Sequence, residues 1–328
     1  VAVADRASLA QAEDTVLLRP TPRNARPRPI KGQILDYTGR ALRIQLPTGR
    51  ERTIKPDAIE RVETTRCAEH KEGDRLFANH EYRTAESKYR AAIESNRETR
   101  PWVRRQILAQ IVWCYSNIGQ AEQAGQVFLM LVERDPDTIF FDCSPLAWTD
   151  EAPSPALAAR AADWLAATDY PVAVLLGASH LLTTNRRTAA LQQLRNLSQS
   201  DRPRVAWLAQ AQIWRTETAG SSLQQLAAWS RLIDGSEESL RAGAYYVLGT
   251  ALAPHDRRKA ALALLEVPIM YPSHRRLAAA ALLSAGGHLE SMGDLGEAAR
   301  LYREIVDQYA SSVETGEAAR RLDHLARQ

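Results

Sequence analysis

Cysteine is scarce in this chain: Cys67, Cys114 and Cys143 are the only three in 328 residues. Three are too few for a disulfide framework, and their spacing matches no metal-ligand set, so neither staples nor a zinc cluster hold the fold. Cys67 and Cys114 fall on helical stretches, where a thiol packs as a small hydrophobe. No run of about 18 apolar residues occurs, which excludes a membrane-crossing helix. Also missing are a Gly-x-Ser-x-Gly elbow, a Gly-x-x-x-x-Gly-Lys phosphate loop and a His-Glu-x-x-His zinc motif. Ser179 and His180 are adjacent on one helical stretch, and neighbours on a helix point to different sides, which leaves them unable to form a relay. Glu290 and Asp294 fall at a helix end and turn, where capping accounts for them. Neither catalysis nor a cofactor or metal is expected.

What is present suits a folded, mainly helical chain. Hydrophobic residues make up 45% and charged residues 25%, a globular balance rather than a disordered one. The length allows about two domains, or one small domain and an extended array. Charge is uneven: residues 1–66 hold 13 Lys and Arg against 8 Asp and Glu, while residues 67–328 hold 29 against 31. Arg19, Arg23, Arg26, Arg28 and Lys31 supply the excess within residues 19–31, which contain no acid. Such a cluster suits nucleic acid or an anionic envelope surface, although a solvated loop is its ordinary reading. The opening Val1-Ala2-Val3-Ala4-Asp5, without methionine, fits removal of a signal peptide as well as an alternative start.

After an N-terminal extension over residues 1–13, residues 14–65 have period two. Strands are predicted at Thr15–Leu18, Ile30–Tyr37, Ala41–Leu46, Arg50–Lys55 and Ile59–Glu63, with turns at Thr38-Gly39 and Thr48-Gly49. Five short strands in about fifty residues can roll into a small barrel, and the spacing resembles SH3-like or Sm-like barrels. Pro20, Pro22, Pro27 and Pro29 keep its first loop extended.

From residue 66 to 328 the pattern is helical, with gaps at Pro101, Pro136, Pro171, Pro203 and Pro272. One spacing appears three times: Tyr82, Ala85, Tyr89, Ala92, Ile93; then Ala121, Ala124, Phe128, Leu131, Val132; then Leu295, Ala298, Tyr302, Ile305, Val306. Positions i, i+3, i+7, i+10 and i+11 form one stripe of a helix, with alanine always second. A single stripe cannot be buried alone, so recurring hairpins of this kind stack. Between them, helix starts at Arg187, Ser222 and Arg257 keep a 35-residue rhythm.

Around these stripes the chain resembles the tetratricopeptide repeat family. Gly73, Val112 and Gly286 lie nine residues before each stripe, where that family has a small residue, and His80, Gly119 and Gly293 lie two before, at its turn. The best-matching repeats are 66–97, 105–136 and 279–310. The resemblance implies a right-handed α-solenoid whose first helices line a concave groove. On those helices Trp102, Arg104 and Arg105, and Trp207 with Trp214, are candidate partner contacts, since Trp and Arg are enriched at binding hot spots. Packing between neighbouring helices is the equally weighted alternative. Phe140, Phe141 and Trp148, in the apolar link between Pro136 and Pro155, are expected to seal the array rather than present an anchor.

The implied function is a non-catalytic scaffold that holds a protein or peptide. Tyr271-Pro272-Ser273, Gly293-Asp294-Leu295 and Tyr309 resemble repeats of outer-membrane assembly lipoproteins and Tol-associated periplasmic coordinators, which implies a bacterial periplasmic or secreted setting ahead of a cytoplasmic one. The alternative is nucleic-acid binding through the basic loop, though no aromatic stacking platform is visible among the strands.

Overall fold

The computed structural model describes residues 13–20 and 26–327. Five strands come first: β1 (Asp14–Leu18), β2 (Arg28–Tyr37), β3 (Leu42–Gln45), β4 (Glu51–Ile54) and β5 (Ile59–Glu63). Their order is β4-β3-β2-β1-β5 with antiparallel pairing throughout. Alternation sets the inner face, where Val16, Ile34, Leu42, Ile44, Ile54 and Ile59 are buried. Leu42 stands opposite Ile54, and Ile34 opposite Ile44. The expected closed barrel is corrected to an open sheet. β4 ends after four residues, and the Pro56–Ala58 3-10 turn carries the chain to the opposite edge without pairing β4 to β5.

Fourteen α-helices follow among the described residues. They are α1 (Ala68–Ala78), α2 (Tyr82–Glu94), α3 (Pro101–Asn117), α4 (Ala121–Arg134), α5 (Pro155–Ala166), α6 (Pro171–Leu181), α7 (Arg187–Leu197), α8 (Pro203–Trp214), α9 (Leu223–Gly235), α10 (Ala242–Leu252), α11 (Arg257–Met270), α12 (Arg275–Ser291), α13 (Leu295–Gln308) and α14 (Thr315–Leu325). The chain divides into two compact units after Ser144, the sheet sharing the first with α1–α4. Proline opens α3, α5, α6 and α8 at a position whose N–H has no helical partner. Side-chain caps open others: Ser222 and Gln225 exchange bonds in a capping box at α9, and Asp256 accepts the Lys259 N–H at α11.

The stripes form the seams between consecutive helices. Ala85, Tyr89, Ala92, Ala124, Phe128, Leu131, Ala298, Tyr302 and Ile305 have no exposed surface, whereas Leu295 is 37% exposed. The turns before them use the left-handed region, with φ of 64° at His80, 76° at Gly119 and 84° at Gly293. At the crossings, a Cβ on Gly73 would lie 2.7 Å from the Tyr89 ring, and one on Gly286 would lie 2.5 Å from the Tyr302 ring. Gly286→Ala should therefore cost about 1–3 kcal/mol through overpacking. Gly316→Ala, with open space around its Cβ in α14, should be neutral or gain up to about 1 kcal/mol. Thermal melts of the two variants check this, and equal melting shifts would contradict it.

Two local expectations resolve differently. Asp294 precedes α13 without a side-chain capping bond. Glu290 accepts the Tyr302 hydroxyl at 2.8 Å and an Arg321 Nη1–H at 2.9 Å, so it ties α12 to α13 and α14 rather than capping a helix. In the first unit Phe141 is buried edge-on against Phe128, with ring centroids 5.5 Å apart, which is the sealing role expected for it.

Candidate functional site

In the first unit the sheet is held to α3 by charge. Arg105, one turn into α3, is 7% exposed; its Nη2 meets an Asp36 carboxylate oxygen and donates to the Tyr37 carbonyl at 3.0 Å. Its Nε lies 3.9 Å from Asp135 Oδ2, and that carboxylate accepts the Gly39 N–H at 3.0 Å. Burial raises the Asp135 pKa, while the Gly39 N–H and Arg105 oppose the rise. A Cβ on Gly39 would fall 1.4 Å from the Asp137 carbonyl oxygen, so only glycine lets the β2–β3 hairpin dock here. A second tie runs through Arg100, which donates to both Glu98 oxygens and to Thr64 Oγ1, while Asp14 accepts the Ile34 N–H.

Arg105 thus spends its guanidinium on this chain's own sheet, and its expected partner contact is corrected to an internal one. Trp102, 4% exposed under the Arg100 guanidinium, is likewise interior. Arg104 is half-buried and donates to the Glu98 carbonyl at 3.2 Å.

The second unit follows the same logic. Trp214 is 2% exposed, stacked on Trp229 at 4.9 Å and edge-on to Trp207 at 5.5 Å. Trp207 is half-buried with its indole N–H 3.4 Å from the Leu240 carbonyl. Trp214 therefore packs α8 on α9, and the groove contact expected of it is corrected to core packing.

What crosses α6, α8, α10 and α12 is the chain itself. Residues 145–151, neither helix nor strand, pass over α6, α8, α10 and α12 in turn. On α6, the His180 imidazole bonds the Pro145 carbonyl through Nε2 at 2.9 Å, and Ser179 Oγ accepts the Ala147 N–H at 3.3 Å. On α8, Gln212 Nε2 and Arg215 Nη1 both donate to the Ala147 carbonyl, at 2.9 and 2.7 Å, and Arg215 Nη2 donates to the Thr149 carbonyl at 2.7 Å. On α10, the Trp148 indole covers Gly243, where a Cβ would lie 2.0 Å from the ring. On α12, Arg276 pairs with Glu151 at 2.9 Å. Trp148 also packs against both apolar clusters of the unit. Its expected sealing role is what this packing performs.

The Arg215 guanidinium has only neutral acceptors among these bonds, and its Nε–H has none. Burial lowers its pKa to about 10. His180 is driven down to about 4 by burial, so it is the neutral imidazole that bonds Pro145. Ser179 Oγ donates to the Leu176 carbonyl at 3.0 Å, so both members of the Ser-His pair serve backbone atoms. Among the described residues no three His, Cys, Asp or Glu side chains gather as a metal site, and no helix is long and apolar enough to cross a membrane.

Of the basic-loop residues, Arg23 lies outside the described residues. Arg19 donates from Nε to the Ile59 carbonyl at 3.2 Å, and Lys31 pairs with Glu13 at 3.6 Å. Arg26 and Arg28 are exposed. Sequence reasoning did not single out Gln212, Arg215 or Gly243, because contacts between residues 147 and 215 leave no periodic trace. A signal was present in α6, where Val172–Leu181 is apolar all round apart from Ser179 and His180: such a helix must be covered on every side. Comparisons of the chain with protein-family models, with curated proteins and with solved structures match none of them.

Proposed function

We propose that the chain is a non-catalytic protein-interaction scaffold built from tetratricopeptide-like hairpins stacked as a right-handed solenoid, the bacterial envelope being the setting its repeat resemblance implies. One observation carries the reading: α6, α8, α10 and α12 hold a non-helical polypeptide segment, mostly through its backbone. Helices that grip carbonyls and one N–H are equipped to hold a protein segment irrespective of most of its side chains. The crossing glycines under Tyr89 and Tyr302 and the left-handed turns at His80, Gly119 and Gly293 support the repeat assignment.

A second surface supports it. Large apolar side chains stand in water on α11, where Leu262 is 62% and Ile269 70% exposed, seven residues apart on one face. Photo-cross-linking residues placed at 262 and 269 of the full chain should give discrete protein adducts in an extract of its source cells. No adduct at either position would overturn the scaffold. If the same chain instead binds labelled RNA or DNA, with affinity falling steeply in salt and lost when Arg26 and Arg28 become alanine, the basic-loop alternative replaces it.

A further inference from the structure

We infer that Pro145–Glu151 is a displaceable internal ligand: it fills, in cis, a site on α6, α8, α10 and α12 that takes a partner's non-helical segment carrying one large aromatic side chain followed by carboxylates. The inference rests on the scaffold reading and names the ligand chemistry of its groove.

Three features distinguish a ligand from a structural tie. First, the bonds from Ser179, His180, Gln212 and Arg215 all end on backbone atoms of Pro145, Ala147 and Thr149. Any segment of the same course supplies those atoms, so this part of the site is blind to sequence. Selectivity falls to the side chains the site buries, Leu146 and above all the Trp148 indole, whose seat exists because Gly243 carries no side chain. Second, the segment satisfies the site incompletely. A buried guanidinium with neutral hydrogen-bond acceptors alone and an unbonded Nε–H feels the Asp150 charge without a hydrogen bond to it, and a carboxylate reaching it would bind better than the Thr149 carbonyl does. Asp150 and Glu151 place acid just past the tryptophan, but Glu151 reaches the half-buried Arg276 instead.

Third, release is local. The segment contributes no helix or strand, so lifting it breaks a handful of side-chain bonds and uncovers the apolar contacts of Leu146 and Trp148, but opens no ladder. It is followed by Pro153 and Pro155, the latter opening α5, which fix the chain where the helices resume. Tethered this way, the segment holds a high effective concentration over its site and suppresses weak competitors. Only a partner that improves on it gains access, and binding exposes the Trp148 side chain in exchange.

The test uses the full chain and a fluorescent synthetic peptide of residues 144–152. Trp148→Ala removes the anchor from the internal segment while leaving the seat on Gly243 intact. This variant should bind the peptide at least about tenfold more tightly than the unaltered chain does. A peptide with alanine in place of its tryptophan should not bind. Equal binding by the two proteins, or none by a folded variant, overturns the inference.

Native-state hydrogen exchange of the unaltered chain provides a reading that requires no variant. The Ala147 amide should exchange on the order of 100-fold faster than the buried amides of α6, because it opens without the helices. Exchange at the α6 rate would make the segment a permanent part of the core and overturn the inference. Should the peptide fail while adducts form at Leu262 or Ile269, the internal ligand falls and the scaffold stands; failure of both removes the two together.

Discussion

Arg105→Met should destabilise the first unit by about 3–5 kcal/mol, the cost of breaking a buried pair by removing one partner. The loss has two parts. The Tyr37 carbonyl and Asp36 lose their donor at the docked β2–β3 hairpin. Asp135, 5% exposed and already raised in pKa by burial, keeps the Gly39 N–H as its hydrogen-bond donor. A carboxylate stranded in that position costs more than the 3.9 Å ion pair it has lost. Adding Asp135→Asn should therefore recover part of the loss, with a coupling of about 1–3 kcal/mol in the double-mutant cycle. Urea unfolding of the four proteins gives the cycle directly.

The same variant separates an internal tie from a partner contact. If Arg105 reaches a partner, Arg105→Met weakens binding and leaves the urea midpoint in place. If it holds the sheet, the midpoint falls, and amides of β2 and β3 exchange faster even without any partner. A loss under about 1 kcal/mol, or strictly additive effects with Asp135→Asn, would remove the charge tie as the reason the sheet sits on α3.

Much of the architecture was legible before any coordinates. Period-two alternation locates all five strands to within two residues, and of the prolines that mark gaps, Pro101, Pro171 and Pro203 open helices. Stripe positions such as Tyr89, Phe128 and Tyr302 were legible as core because a helix with one apolar face has one way to hide it. Closure of the sheet was not legible. It depends on whether β4 meets β5, a pairing set by the turn at Pro56 rather than by either strand's own pattern. The candidate site failed for a related reason. Trp102, Arg105 and Trp214 lie on the predicted helices but not on a side that faces solvent, because periodicity states which face is apolar without stating what lies over the other. In α3 the apolar residues Ile107, Leu108, Ile111, Val112 and Trp113 already wrap beyond one stripe, so cover on both sides was implied by composition. That the cover is the β2–β3 hairpin, and in the second unit residues 145–151, follows only from contacts across 32 to 125 positions of sequence.

Acid should weaken each unit separately, through one buried histidine apiece. His70 on α1 has no exposed surface, and both ring nitrogens are without hydrogen-bond partners. Burial lowers its pKa to about 4; Asp74 and Glu98 pull the other way, and Arg66 and Arg100 reinforce the drop. His180, bonded to Pro145 with Arg215 nearby, is also held at about 4 by burial. In the unfolded chain both titrate near 6.5. As pH falls below that value the unfolded state binds protons that the folded state refuses, so stability decreases, and the decrease levels off near pH 4 where the folded imidazoles also protonate. Between pH 7 and pH 5, where most carboxylates stay ionised, this amounts to about 2 kcal/mol for each histidine. His274, half-buried before α12 and likewise lowered to about 4 by burial, adds in the same direction to the second unit. Urea midpoints measured every half pH unit should fall through this window, and His180→Asn should flatten the fall in the second unit while leaving the first unchanged. Midpoints constant from pH 7 to pH 5 would mean that these imidazoles open to water at little cost. That outcome would count against the tight seating of Pro145 on His180 as well, because the carbonyl bond and the suppressed protonation depend on the same exclusion of solvent.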